Sequence, residues 1–238
     1  MFLFKHLTLP GLENLSVRND DFVEWNAPWD VEHILSALSL CNLTSLTLTK
    51  VPLRDGDFIS LLEVMPTLES LSFSEYIPVF KPRKDPNNMT ITPYVLARLS
   101  LANSDFPLMM PRPDSARLLP HLQHLSLCVY AGGLDQRALG KAVLSRRTGS
   151  DSSNDQNIGE VAHQGLRSFE VVVLLPDAKA TASLELVSWL ECLSDVGLRV
   201  RVKTETTKYG LGFALESMVV MSDISDSDED SGDDSDNE

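Results

Sequence analysis

Residues 43–73 read LTSLTLTKVPLRDGDFISLLEVMPTLESLSF, and this stretch decides the fold. It opens and closes on one pattern, a leucine, two variable residues, a leucine, one variable residue and an apolar residue: Leu43-Thr44-Ser45-Leu46-Thr47-Leu48 and Leu68-Glu69-Ser70-Leu71-Ser72-Phe73. The alternation that ends each copy is the period-two signature of a strand with one face in a core. Between the copies, Asp57 to Met65 has helical spacing, Asp55 stands where it can cap the first turn, and Pro66 stops the helix. The unit is strand, helix, strand.

Working outward, the pattern recurs as Leu12 to Val17, Leu122 to Leu127 and Leu166 to Val171, with a weaker copy at Leu198 to Val202. First leucines are separated by 31, 25, 54, 44 and 32 residues, so repeat length is irregular. Helical spacing fills the intervals at Val31–Leu40, Thr92–Leu101, Asp135–Arg146 and Thr181–Ser194. Leu35/Leu38/Leu40 and Leu96/Leu99/Leu101 match the letters of the pattern but sit where a helix precedes a strand, and read as helix faces. Leucine reaches 38 of 238 residues, an excess over ordinary globular usage that this repeated use accounts for.

Units of this kind bury their apolar faces only by stacking. The expected architecture is therefore α/β, a leucine-rich-repeat solenoid with a curved parallel sheet on the concave side and helices on the convex side. Residues 1–221 form this domain, starting in mid-repeat and carrying a flexible insert at 148–160. Further loops interrupt it at 19–30, 75–90 and 103–116. Strand parity sends Leu15/Val17, Leu46/Leu48, Leu71/Phe73, Leu125/Leu127, Phe169/Val171 and Val200/Val202 inward. The candidate binding residues on the concave side are Ser45, Thr47, Ser70, Ser72, His124, Ser126, Glu170, Arg199, Arg201 and Lys203, where small hydroxyls offer donors and acceptors and leave room for a partner. Arg199, Arg201 and Lys203 make a basic stripe whose expected partner is Glu170 across the ladder.

The chain carries 34 acids against 20 bases, a net charge of -14, but nine of those acids and no base fall in residues 222–238. That composition predicts a disordered acidic tail. Ser225, Ser227, Ser231 and Ser235 each have an acid three positions on, the arrangement an acidophilic kinase prefers, and are candidate phosphorylation sites. A negative balance disfavours nucleic acid as a partner. No run approaches 18 apolar residues, which argues against a membrane span. Cys41, Cys128 and Cys192 lack CxxC spacing, so the chain reads as intracellular, cytoplasmic and/or nuclear.

No catalytic constellation, cofactor or metal is expected. His121 and His124, three apart on a strand, would face opposite sides. Asp55-Gly56-Asp57 lacks the remaining ligands of a calcium loop. Gly132-Gly133 is read as lacking the strand-before, helix-after setting of a phosphate cradle. Arg137, Lys141, Arg146 and Arg147 read as the solvated outer face of a helix.

HLTLPGLENLSV, residues 43–73 and LLPHLQHLSL resemble the repeat region of fungal F-box/leucine-rich-repeat proteins over roughly residues 3–203. The resemblance implies a non-enzymatic protein-interaction module, the substrate-recognition part of an SCF-type ubiquitin ligase subunit. The F-box itself is not recognised in these residues, since Leu9-Pro10-Gly11-Leu12-Glu13 leads into a strand. Skp1 is thus an expected partner only if an F-box precedes them, and the protein target is left open. The acidic tail is also similar to that of acidic leucine-rich nuclear phosphoproteins, and the alternative is a binder of histones or other basic proteins.

Overall fold

The leucine pattern builds a parallel sheet. The computed structural model describes residues 10–19, 31–75, 89–100, 118–148, 165–175, 198–206 and 216–217. Its strands are β1 (Asn14–Arg18), β2 (Ser45–Thr49), β3 (Ser70–Ser74), β4 (His124–Tyr130), β5 (Ser168–Leu175), β6 (Arg199–Thr206) and a short β7 (Glu216–Ser217). They lie side by side in sequence order, β1 to β6 parallel and β7 antiparallel to β6. Parallel neighbours need crossovers. Four of these contain helices among the described residues: α1 (Glu32–Leu38), α2 (Asp55–Glu63), α3 (Pro93–Leu99) and α4 (Gln136–Thr148). The fold is α/β, and its sequential parallel order is compatible with a solenoid-like stack.

Register repeats even though spacing does not. In the first four copies the residue after the first leucine accepts two N–H groups from the next unit, and in the fifth Arg167 O takes that of Arg199 at 3.1 Å. Glu13 O takes Thr44 and Ser45 at 2.8 and 3.0 Å, and Thr44 O takes Glu69 and Ser70, both at 2.9 Å. Glu69 O takes Gln123 and His124 at 2.8 and 2.9 Å, and Gln123 O takes Arg167 and Ser168 at 2.8 and 3.1 Å. The uneven intervals are absorbed in the connections, where extra length costs little loop entropy.

Inward parity positions are buried from β2 onward and half-buried on β1. They join Ile34 and Leu38 of α1, Phe58, Leu61 and Leu62 of α2, Val95, Leu96 and Leu99 of α3, and Leu139 and Val143 of α4 in one core. Phe58 and Phe73 meet with ring centroids 4.6 Å apart. Leu35 and Leu38 lie on a helix as expected, but Leu40 falls past its end and is exposed.

Helix starts depart from expectation in detail. Asp55 is the first residue of α2 rather than its cap. Its Oδ1 accepts the Gly56 N–H at 2.7 Å, and its Oδ2 accepts the Thr92 hydroxyl at 3.2 Å. Thr92 caps α3, taking the Val95 N–H on Oγ1 at 3.3 Å, so one hydroxyl joins the starts of two stacked helices. Asp135 takes the Ala138 N–H at 2.9 Å at the start of α4. Arg98 and Glu63 tie α3 to α2 at 2.6 Å. Thr148, expected to open the flexible insert, is instead the last residue of α4. Residues 149–160, the helix expected at 181–194 and the tail lie outside the described residues.

Two charged side chains are buried where the longer interval between β3 and β4 is interrupted. Glu75 follows β3 on the inward phase of Leu71 and Phe73. Its Oε1 accepts the Ile91 N–H at 2.9 Å and its Oε2 the Tyr130 N–H at 3.0 Å. Thr90 beside it donates to Leu53 O at 2.6 Å. Burial pushes the Glu75 carboxyl above its ordinary pKa, and the N–H donors of Ile91, Tyr130 and Thr90 oppose that rise.

Arg146 overturns the solvated-face reading. It is 3% exposed, and it donates from Nε to Leu99 O at 2.5 Å, from one terminal nitrogen to Leu119 O at 2.8 Å and from the other to Leu118 O at 2.6 Å. Burial pulls its pKa down to about 10, so it stays charged at neutral pH. The carbonyls of Leu118 and Leu119 flank a leucine in the left-handed region, with Leu119 φ at 51°. The guanidinium therefore fixes a backbone conformation that costs roughly 1–2 kcal/mol for a residue with a Cβ. Arg137 and Lys141 of the same helix are exposed as expected.

Candidate protein-binding face

The ten candidate residues of the sheet all fall on its open face, in three transverse rows set by the register. The first runs Asn14, Ser45, Ser70, His124, Ser168, Arg199. The second runs Ser16, Thr47, Ser72, Ser126, Glu170, Arg201. The third runs Arg18, Thr49, Ser74, Cys128, Val172, Lys203. Alternation requires this: each side chain sits one residue from a core position, and parallel pairing keeps like parity in line across the sheet.

The face changes character along its length. From β1 to β3 it is Asn, Ser and Thr with one terminal arginine. From β4 onward ionisable groups enter, and they touch one another. His124 Nδ1 lies 2.7 Å from Ser168 Oγ. Glu170 Oε1 lies 3.8 Å from both Arg201 and Lys203, as the sequence leads one to expect, with the Arg201 side chain 51% exposed. Both separations exceed hydrogen-bond length, so the basic nitrogens keep donor capacity toward a ligand.

A fourth row was missed. β4, β5 and β6 run past the first three strands, aligning Tyr130 with Leu174 and Leu174 with Glu205. Val172 is half-buried and Leu174 buried on the open-face parity. The run Val171-Val172-Val173-Leu174-Leu175 was the available signal, since a continuous apolar stretch marks a strand covered on both faces. β7 was also missed, two residues carrying no periodicity of their own.

Two motif readings change. His121 lies in the turn before β4, so His124 alone is on the strand. Gly132-Gly133 does stand between a strand and a helix, contrary to expectation. The space is taken: a Cβ on Gly133 would collide with the Met89 side chain at Sδ, and Asp135 holds the Ala138 N–H of the first helical turn. Among the described residues no group of three or more His, Cys, Asp or Glu is placed to hold a metal ion. Among them, too, no helix is long and apolar enough to cross a membrane. Ser225, Ser227, Ser231 and Ser235 lie outside the described residues. No family model, no curated protein and no solved structure matches the chain.

Proposed function

We propose that this chain is a non-enzymatic protein-recognition module, a leucine-rich-repeat solenoid like the substrate-recognition part of F-box proteins, which takes its target on the open, concave side of the sheet. The observation that carries the reading is the alignment, in one register across six parallel strands, of two rows of polar and charged side chains and a third interrupted by Cys128 and Val172. A surface of short hydroxyls has little side-chain entropy to lose on binding, and its donors and acceptors read a polypeptide rather than a small buried ligand. The charged end beyond β4 would orient the target and set its sign.

The test is site-specific photocrosslinking from the two sides of the molecule. A photoreactive side chain in place of Thr47, Ser72 or Ser126 should give discrete protein adducts in native cells, and the same group at Glu63 or Arg137 on the helix layer should not. Adducts from the helix layer alone would overturn the reading. Purified Skp1 should not bind residues 1–238 by themselves.

A further inference from the structure

The last strand faces back toward the basic stripe. β7 pairs antiparallel with β6, Ser217 opposite Thr204 and Glu216 opposite Glu205. The C-terminal end of β7 therefore faces back along the line of β6 that runs from Lys203 through Arg201 to Arg199. Five residue steps lead from Ser217 to Ser222, a reach of up to about 17 Å, and the same number of steps separates Thr204 from Arg199. The acidic run, with Asp223 its first acid, thus begins within reach of the stripe's far end.

Charge matches the geometry. Arg199, Arg201 and Lys203 share the open face by parity, and Glu170 is the one carboxylate aligned with them in the three rows. Glu205 and Glu216 stand beyond Lys203 on the same parity, so the excess of positive charge lies at the other end of the stripe, where Arg199 and Arg201 face Glu170 alone. Residues 222–238 carry nine acids and no base. A linker this short gives an effective concentration in the millimolar range, so weak contacts suffice. The exposed bases of α4, Arg137 and Lys141, lie on the helix side of the sheet and farther from β7 in strand order.

We propose that residues 222–238 are an intramolecular ligand of the Arg199–Arg201–Lys203 stripe, a built-in acidic segment that covers the charged end of the open face. Phosphorylation of Ser225, Ser227, Ser231 or Ser235 adds up to about two negative charges each and tightens the contact. Competition with an acidic target is a consequence that rests on the proposed function. The contact itself does not depend on it.

Carbodiimide coupling on the full-length chain tests the contact, because Lys203 is the one amine in the stripe. At low protein concentration and low salt, monomeric protein should carry isopeptide bonds from Lys203 to acids between Asp223 and Glu238. Their yield should fall several-fold in 0.5 M salt, beyond which screening is nearly complete, and several-fold in Arg199→Ser/Arg201→Ser, which keeps the reporting amine. The proposal is overturned if tail carboxylates do not couple to Lys203, if they couple only in dimers, if coupling to Lys141 predominates, or if the double variant couples as well as wild type. A face that captures no target in the photocrosslinking test leaves this outcome unaffected, so the two failures are distinguishable.

Discussion

Glu75 and Ile91 stand far apart in sequence and are joined directly, Leu99 and Leu118 likewise through Arg146, and the buried side chains that join them are of opposite sign. At the first, the backbone groups without a ladder partner are the N–H groups of Ile91 and Tyr130, and a carboxylate, which only accepts, takes both. At the second they are the carbonyls of Leu99, Leu118 and Leu119, and a guanidinium, which only donates, takes all three. The sign of each charge follows from the backbone groups left over. The two differ in how they tolerate loss: a carboxylate can be neutralised by a proton and keep an acceptor, whereas a guanidinium with three fixed acceptors has no close substitute.

The largest effect should come from Arg146. Arg146→Met keeps apolar bulk but leaves three buried carbonyls without their donor, and should cost about 3–5 kcal/mol in urea unfolding. Arg146→Lys retains the charge without the planar fork and should recover only part of that. A Met variant of near-wild-type stability would mean water replaces the guanidinium, and the contrast between the two sites would fail. Glu75→Gln should cost less, about 1–3 kcal/mol, because one amide oxygen still serves one N–H while the NH2 faces the other.

Titration sharpens the same contrast. The Glu75 carboxyl is raised in the folded state, so between its unfolded and folded pKa values the native chain binds more protons than the unfolded chain. Stability from this group is full below the unfolded value of about 4.5 and is lost as pH rises through the folded one. The margin of wild type over Glu75→Gln should therefore be largest near pH 4 and shrink on going to pH 7. The margin over Arg146→Met should stay flat from pH 5 to 9, where a group with a pKa of about 10 remains charged. A shrinking Arg146 margin or a flat Glu75 margin, followed by urea midpoints at each pH, would reverse the assignment.

The smallest effect compares the two left-handed residues. Lys50 has φ at 56° and is exposed, while Leu119 is held by Arg146. Lys50→Gly relieves the Cβ clash and should stabilise by up to about 1 kcal/mol in the same assay. Leu119→Gly loses a buried side chain and should destabilise despite the same relief. Stabilisation by both would show that Arg146 contributes little to holding that turn.

Much of this was readable in advance. Each strand copy is a local pattern, and its alternation places the ten open-face candidates without knowledge of any contact. The two buried charges were also present as signals, though unread. Arg146 stands seven residues after Leu139 on the stripe through Ala142 and Val143, and Glu75 continues the inward phase of Leu71 and Phe73. A charged letter on an apolar phase says that something must compensate it, but not what. The partners of Arg146 lie 27 to 47 residues away in sequence.

The sequence by itself determined the strand and helix periods, the parity of every strand position and the uneven placement of charge, because these depend on residues within one or two turns of each other. The tertiary structure decided which unit follows which in the sheet, which carbonyls and N–H groups were left for Arg146 and Glu75, and the direction in which β7 runs. Those depend on hydrogen bonds between segments that share no local pattern. Backbone groups must be satisfied wherever the folded chain buries them.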